Sequence, residues 1–97
     1  MSSKVLYTLV LDYRGGTYIA QEFAESPQEA VEKWAVAITE PDLSSWGLTK
    51  QAVIDLSKDF PLPLKNCSNV WCTSDSTQNG PMLLNIIATK TGGNGRA

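Results

Sequence analysis

The chain has 97 residues, of which 42% are hydrophobic and 19% are charged. This length accommodates one small domain, and the hydrophobic share is too high for a disordered chain. The net charge of −2 argues against broad binding to nucleic acid, which depends on clustered Lys and Arg side chains. We therefore expect one folded domain over residues 1–90 and a flexible, glycine-rich tail over residues 91–97.

The first predicted elements are two strands joined at Arg14-Gly15-Gly16. Every second residue of the first strand is apolar, which gives one face formed by Val5, Tyr7, Leu9, Leu11 and Tyr13. A two-residue loop would place Glu22 opposite Leu9 on that face. A three-residue loop, with Gly16 in the left-handed region, pairs Leu11 with Ile19 and Tyr7 with Phe23. This register keeps the face apolar, so we predict it.

A capped amphipathic helix follows the second strand. Ser26 is a preferred capping residue, Pro27 suits the first helical position, and Glu29 completes a capping box. Apolar residues recur on one stripe of this helix, at Val31, Trp34, Ala35 and Ile38. We also expect an ion pair between Glu29 and Lys33, and a helix end near Thr39, because Pro41 disfavours helical geometry before it.

Residues 41–48 are predicted to form a loop in which Leu43 and Trp46 fold back onto the core. Thr49 is expected to cap a second, shorter helix whose apolar residues are Ala52, Val53, Leu56 and Phe60. The prolines at 61 and 63 end this helix. Because alternating prolines lack backbone donors, residues 61–64 should run extended across the surface.

The last predicted element is a hairpin, with strands at residues 70–74 and 82–89 and a polar turn over residues 75–81. The second strand is almost continuously apolar, which is typical of a strand buried on both faces, so we place it centrally in the sheet. The predicted fold class is α+β, in the order ββααββ, with an antiparallel sheet and the main helix packed on one face. The helix stripe is expected to meet Leu9, Leu11, Ile19 and Phe23.

The composition of the chain does not favour a catalytic function. The chain contains no histidine, which excludes hydrolase triads and metal sites based on imidazole. Cys67 and Cys72 are expected to be reduced, packed thiols, and two sulfurs alone do not make a structural zinc site. We therefore predict no catalytic residues, no metal and no cofactor.

Acidic residues cluster in one part of the sequence that contains Lys33 as its single cation: Glu22, Glu25, Glu29, Glu32, Glu40 and Asp42. Two interpretations are open, a solvated helix face and a surface that meets a basic partner. Among the aromatic residues, Tyr18 is the one expected to be exposed. The candidate partner-binding residues are therefore Glu22, Glu25, Glu29, Glu32 and Tyr18.

Residues 7–38 resemble the N-terminal region of HicB-type antitoxins. The similarity lies in a Tyr-led apolar strand, a Gly15-Gly16 turn, a second strand containing Tyr18 and Ala20, and a helix that opens Ser26-Pro27-Gln28-Glu29-Ala30-Val31. The resemblance implies a fold like part of a double-stranded-RNA-binding domain and a role in binding a basic toxin. The family's DNA-binding tail has no counterpart here, so that role is not carried over.

The resulting expectation is a small, cytoplasmic, non-catalytic protein-binding module, antitoxin-like or immunity-like. Sheet edges that pair with a partner or with a second copy would make it a homodimer. The alternative is a small-ligand-binding protein or enzyme with a pocket between the sheet and the second helix, lined by Tyr18, Asp75 or Cys72. Binding to RNA is disfavoured by charge, and the sequence lacks an apolar run long enough for a membrane span.

Overall fold

The protein was analysed as a computed structural model, which describes residues 4–91 and the side chains of residues 4–89. Its elements follow the order ββαααβββ, and their bounds are β1 Val5–Tyr13, β2 Gly16–Ala24, α1 Pro27–Ala37, α2 Glu40–Trp46, α3 Lys50–Ser57, β3 Leu62–Pro63, β4 Val70–Thr77 and β5 Gly80–Thr91. The predicted α+β class is confirmed. The predicted ββααββ order lacks α2 and the short strand β3.

The strands form one antiparallel sheet in the order β2-β1-β5-β4-β3. The last strand, β5, lies at its centre, as its apolar sequence predicts. At the two edges, β2 pairs along its whole length with β1, whereas β3 pairs through only two residues with β4. The edge formed by β2 is therefore long and uninterrupted, whereas β3 covers only a small part of β4 at the other edge.

All three helices contribute to a core on one side of the sheet, which we call the helix-facing side. Val31 and Trp34 of α1 belong to the same buried cluster as Leu9 and Leu11 of β1, as predicted. The other strands and helices add further buried side chains to this cluster, among them Leu43, Val53, Leu56, Met82, Leu84 and Ile86. The opposite side of the sheet, which we call the open face, carries no helix formed by residues 4–91.

The two predicted helix caps are present. The Ser26 hydroxyl accepts a hydrogen bond from the Glu29 backbone N–H at 3.1 Å, and the Thr49 hydroxyl accepts one from Ala52 at 3.2 Å. The Glu29 side chain reaches one residue further back than a capping box requires, because it accepts from the Glu25 N–H at 2.6 Å. The bonds to Ser26 and Thr49 satisfy amide groups that a helix start leaves without partners.

The register predicted for the first hairpin is wrong by one residue. Its loop contains only Arg14 and Gly15, both at positive φ (50° and 80°), as a type I′ turn requires. The register therefore pairs Leu11 with Tyr18 and Tyr7 with Glu22. Because a shift of one residue exchanges the two faces of a strand, every side chain of β2 lies on the side opposite to the predicted one.

The exchanged faces of β2 explain why this register is the stable one. Tyr18 now points to the helix-facing side and stacks on Trp46 of α2, with ring centroids 4.3 Å apart. Ile19 and Phe23, which were expected to meet α1, lie on the open face with 68% and 53% of their surfaces exposed. Gly16 allows this packing, since a Cβ there would stand 2.7 Å from the Tyr18 ring.

The segment predicted as a loop contains helix α2, so that prediction is wrong. Pro41 lies in the first turn of α2, where its missing N–H costs nothing, and α1 has already ended at Ala37. The helix ends at Gly47, which adopts the left-handed conformation (φ 81°). Leu43 is fully buried and Trp46 packs against the core, so the predicted return of this segment to the core is confirmed.

The C-terminal hairpin is longer than predicted. Its strands extend to Thr77 and from Gly80, so only Gln78 and Asn79 remain in the turn. Strand β5 ends at Thr91, and the rest of the predicted flexible tail, residues 92–97, lies outside the described part of the chain. The predicted burial of β5 on both faces is wrong for the single chain, since Leu83 keeps 39% of its surface exposed.

Candidate functional site

A shallow groove follows the long edge of the sheet between β2 and α1. It is lined by Glu22, Glu29, Glu32, Lys33 and Val36. Glu22 lies on the helix-facing side of β2, and the other residues share one face of α1 through spacings of three and four. Three of the four predicted partner-binding glutamates are thus brought together. Glu25, the fourth, lies next to them, because its N–H donates to the Glu29 carboxylate.

The groove contains three carboxylates and one ammonium group. Lys33 Nζ donates to the Phe23 carbonyl oxygen at 2.7 Å, and Glu29 accepts from a backbone N–H. Both side chains therefore bond backbone groups, and the predicted ion pair between Glu29 and Lys33 is wrong. Because negative charge exceeds positive charge in the groove, its field favours a cationic ligand.

The backbone of β2 adds hydrogen-bonding groups beside this groove. In an antiparallel pair, alternate residues turn their N–H and C=O groups away from the partner strand. The closing pair of a two-residue hairpin is Tyr13–Gly16, so residues 17, 19, 21 and 23 point these groups to the free edge. The carbonyl oxygen of Phe23 already accepts a hydrogen bond from the Lys33 side chain. The edge is thus covered near residue 23 and open towards residue 17.

Tyr18 is placed differently from its prediction. It lies half-buried against the core and stacks on Trp46, so the prediction that it is exposed is wrong. Its position on the helix-facing side of β2 is shared by Glu22, four residues further along the strand. At about 3.3 Å per residue, the two side chains begin roughly 13 Å apart. Tyr18 therefore flanks the acidic groove without lining it.

A second concavity lies between the start of α3 and the end of the β4–β5 hairpin. This cleft has a volume of about 320 Å³, and its polar lining includes Tyr13, Asp55, Asp75 and Thr77. The Tyr13 hydroxyl hydrogen-bonds the Thr77 hydroxyl at 3.1 Å and donates to the Gly47 carbonyl at 3.4 Å. Of the residues predicted for such a pocket, Asp75 lines this cleft, whereas Tyr18 and Cys72 do not. Tyr13 and Asp55 are not predicted from the sequence, because their segments are far apart in the chain.

The other residues considered for chemistry lie elsewhere. Cys67 is exposed, which contradicts its predicted packing, and Cys72 is half-buried on the open face. Within residues 4–91, no group of three or more Cys, Asp or Glu side chains could hold a metal ion. Burial raises the pKa of the Tyr7 phenol, which packs edge-on against Trp71 in the core. These placements give no nucleophile with an adjacent base.

No protein-family model, no curated protein and no solved structure matches the chain. Among the helices in the described part of the chain, none is long and apolar enough to cross a membrane. We therefore infer function from the geometry of the groove, the cleft and the sheet.

Proposed function

We propose that the chain is a small, cytoplasmic, non-catalytic protein-binding module that holds a basic partner at the edge of β2. One observation carries this proposal: the groove that contains Glu22, Glu29 and Glu32 runs beside the free backbone edge of β2. The carboxylates accept hydrogen bonds from Lys or Arg, and the edge offers both donors and acceptors. A protein segment can use both features at once.

An extended segment of the partner is the occupant that this geometry favours. Added to the edge of β2, such a segment would continue the sheet through main-chain hydrogen bonds. Its side chains would alternate between the two sides of the sheet, so every second one would face the acidic groove. Basic residues at those positions would meet Glu22, Glu29 and Glu32, while apolar residues between them would meet Ile19 on the open face.

The resemblance of residues 7–38 to HicB-type antitoxins supports the same function. Members of that family neutralise a basic ribonuclease toxin by binding it, which is the charge relation that the groove favours. An antitoxin-like or immunity-like role would require no catalytic group in this chain. Glu25 and Tyr18, at the two ends of the groove, are the further residues that we propose to contact the partner.

A charge-matched pair of variants tests the proposal. Glu22→Gln combined with Glu32→Gln removes two groove carboxylates, and Glu40→Gln combined with Asp59→Asn removes two exposed carboxylates elsewhere. The tagged variants would be used to capture proteins from the source cells, and the recovered partner would then be purified. We expect the wild type and the control to bind it equally, and the groove variant about tenfold more weakly.

The salt dependence of binding distinguishes a partner that binds through the carboxylates from one that binds through apolar contacts. Binding through exposed carboxylates should weaken as salt rises, because screening reduces interactions between solvent-exposed charges. A recovered partner that binds both double variants equally would contradict the groove as the site. Capture of no partner by the wild type under low salt, where this attraction is strongest, would contradict the binding function itself.

A second candidate function rests on the cleft between α3 and the β4–β5 hairpin. Its volume of about 320 Å³ lies at the lower end for small-ligand sites, and Asp55 and Asp75 both line it. A screen of small polar and cationic compounds by thermal stabilisation would test it. A compound that stabilises the wild type but not Asp75→Asn would support this alternative, and a screen without such a compound would count against it.

A further inference from the structure

The open face is an unusual surface for a single chain, because apolar side chains from four adjacent strands lie on it and one of its described side chains on these strands is charged. It is formed by alternate residues of the four long strands and carries the apolar side chains Leu6, Val10, Ile19, Phe23, Val70, Cys72, Leu83 and Ile87. Leu62 of β3 extends it, with 66% of its surface exposed. Among the described side chains of the long strands on this face, Asp12 alone is charged. Uncovered apolar surfaces of this kind mark association sites.

The sequence pattern of the central strands indicates that this face is covered in the functional state. Both β1 and β5 carry apolar residues at even and odd positions, a pattern typical of strands that are buried on both faces. Sheets with one solvated face instead alternate apolar with polar residues. The helices cover only the helix-facing side, so the pattern indicates that a second layer of protein covers the open face.

Five polar side chains of the open face hydrogen-bond to one another across the strands. Thr17 donates to Asp12 at 2.8 Å, Gln21 donates to Thr8 at 3.0 Å, and the hydroxyls of Thr8 and Thr89 also bond. Burying a polar group is costly mainly when it loses its partners. Because these groups are already paired within the chain, covering the face would leave few of them unsatisfied.

For two copies of the chain, charge favours contact through the open faces over contact through the β2 edges. At the edge of β2, two copies would bring Glu22, Glu29 and Glu32 against the same residues of the other copy, which is repulsive. The open faces impose no such penalty, because their one described charge, Asp12, lies next to the hairpin turn. With antiparallel β1 strands, the two Asp12 side chains would stand at opposite ends of the interface.

The size of the face fits a dimer of moderate affinity. Four strands about 4.8 Å apart, each with about eight paired residues at roughly 3.3 Å, cover about 500 Å². Two copies would bury about 1,000 Å², the lower limit for a specific protein interface. We propose that two copies pack their open faces together and form a homodimer with a four-layer arrangement of helices, sheet, sheet and helices. This dimer leaves the acidic groove and the β2 edge on its periphery.

The mass of the chain in solution tests the dimer directly. Sedimentation equilibrium of the purified protein from about 5 μM to about 500 μM should show a rise from 10.6 kDa towards twice that mass. A mass that stays at 10.6 kDa over the whole range would overturn the proposal.

Matched variants locate the interface. Ile19→Lys and Leu83→Lys each place two like charges in a symmetric interface, and dimerisation should weaken about tenfold or more. Phe60→Lys makes the same kind of change at an apolar residue that is 79% exposed and lies outside the strands of the sheet. It should dimerise like the wild type. Equal dimerisation by all of these variants would show that the copies meet through another surface and would overturn the proposal.

Cys72 provides a second measurement that does not depend on charged variants. With Cys67→Ser, Cys72 is the remaining thiol, and it lies half-buried on the open face. Its labelling by a thiol reagent should slow several-fold between dilute and concentrated protein, and the Ile19→Lys background should abolish this dependence. A labelling rate that is independent of concentration in a dimeric sample would place the interface elsewhere. Because all of these measurements use the purified chain alone, their outcome does not depend on partner binding at the groove.

Discussion

Replacement of Trp34 by alanine tests the helix-to-sheet packing on which the whole arrangement depends. Trp34 keeps only 5% of its surface exposed and belongs to the same buried cluster as Leu9 and Leu11. A buried indole removes about 150–250 Å² from water, which at about 25 cal/mol per Å² is roughly 4–6 kcal/mol. The loss on substitution is smaller than this value, because alanine retains part of the buried area and the unfolded chain already buries some apolar surface. We expect the free energy of unfolding to fall by about 3–5 kcal/mol.

Urea and thermal unfolding, followed by far-UV circular dichroism, measure this change. In a domain of this length, about 1 kcal/mol shifts the melting midpoint by about 4–8 °C, so a fall of about 12 °C or more is expected. Val36→Ala, on the same helix at an exposed position, is the control and should change stability by less than about 0.5 kcal/mol. A Trp34→Ala variant within about 1 kcal/mol of that control would refute the assignment of this stripe to the core.

Two further predictions concern a helix cap and a buried phenol. Ser26→Ala removes the hydroxyl that accepts from the Glu29 N–H and should lower the free energy of unfolding by about 1 kcal/mol, whereas Ser44→Ala, at an exposed position within α2, should leave it nearly unchanged. Burial raises the pKa of Tyr7 above its ordinary value of 10.0, so the folded chain keeps a proton that the unfolded chain releases. The stabilisation of the folded state by this buried neutral phenol is complete below about pH 10 and is lost as the pH rises through the pKa of Tyr7 in the folded chain. Between about pH 9 and about pH 11, the urea midpoint of the wild type should therefore fall further than that of Tyr7→Phe, and equal falls would contradict the burial of the phenol.

Local signals account for the parts of the fold that could be predicted from sequence. The caps at Ser26 and Thr49 depend on bonds between residues three apart, and both are present. The central position of β5 follows from its almost continuously apolar sequence, which no edge strand needs. Each of these features is determined by neighbours in the chain, so a single sequence contains the necessary information.

Features that depend on distant contacts could not be predicted in the same way. Pro41 was interpreted as the end of one helix, although a proline in a first turn equally begins the next, and only the burial of Leu43 distinguishes the two. The register of the first hairpin depended on whether Tyr18 or Ile19 faces the helices. Trp46, 28 positions after Tyr18, decides this by stacking on it.

The acidic groove was partly predictable, and the cleft was not. Glu29 and Glu32 share a helix face by their spacing, and Glu22 joins them because β2 leads directly into α1. The cleft instead combines Tyr13, Asp55 and Asp75 from three separate segments. No periodicity links such residues, so only the folded arrangement reveals that they are neighbours.

The wrong register and the proposed dimer have the same physical origin. Choosing the register that places Ile19 and Phe23 of β2 on the apolar face of β1 assumes that a single face of the sheet is buried. Ile19 and Phe23 violate this assumption, as do Leu83 and Ile87 in the central strand, and all four lie on the open face. Hydrophobic patterning reflects burial in the assembled state of a protein, because selection for solubility acts on that state. A face that is apolar in several adjacent strands, and whose described side chains on the long strands include a single charge, is therefore better explained by a covering copy than by four independent exceptions.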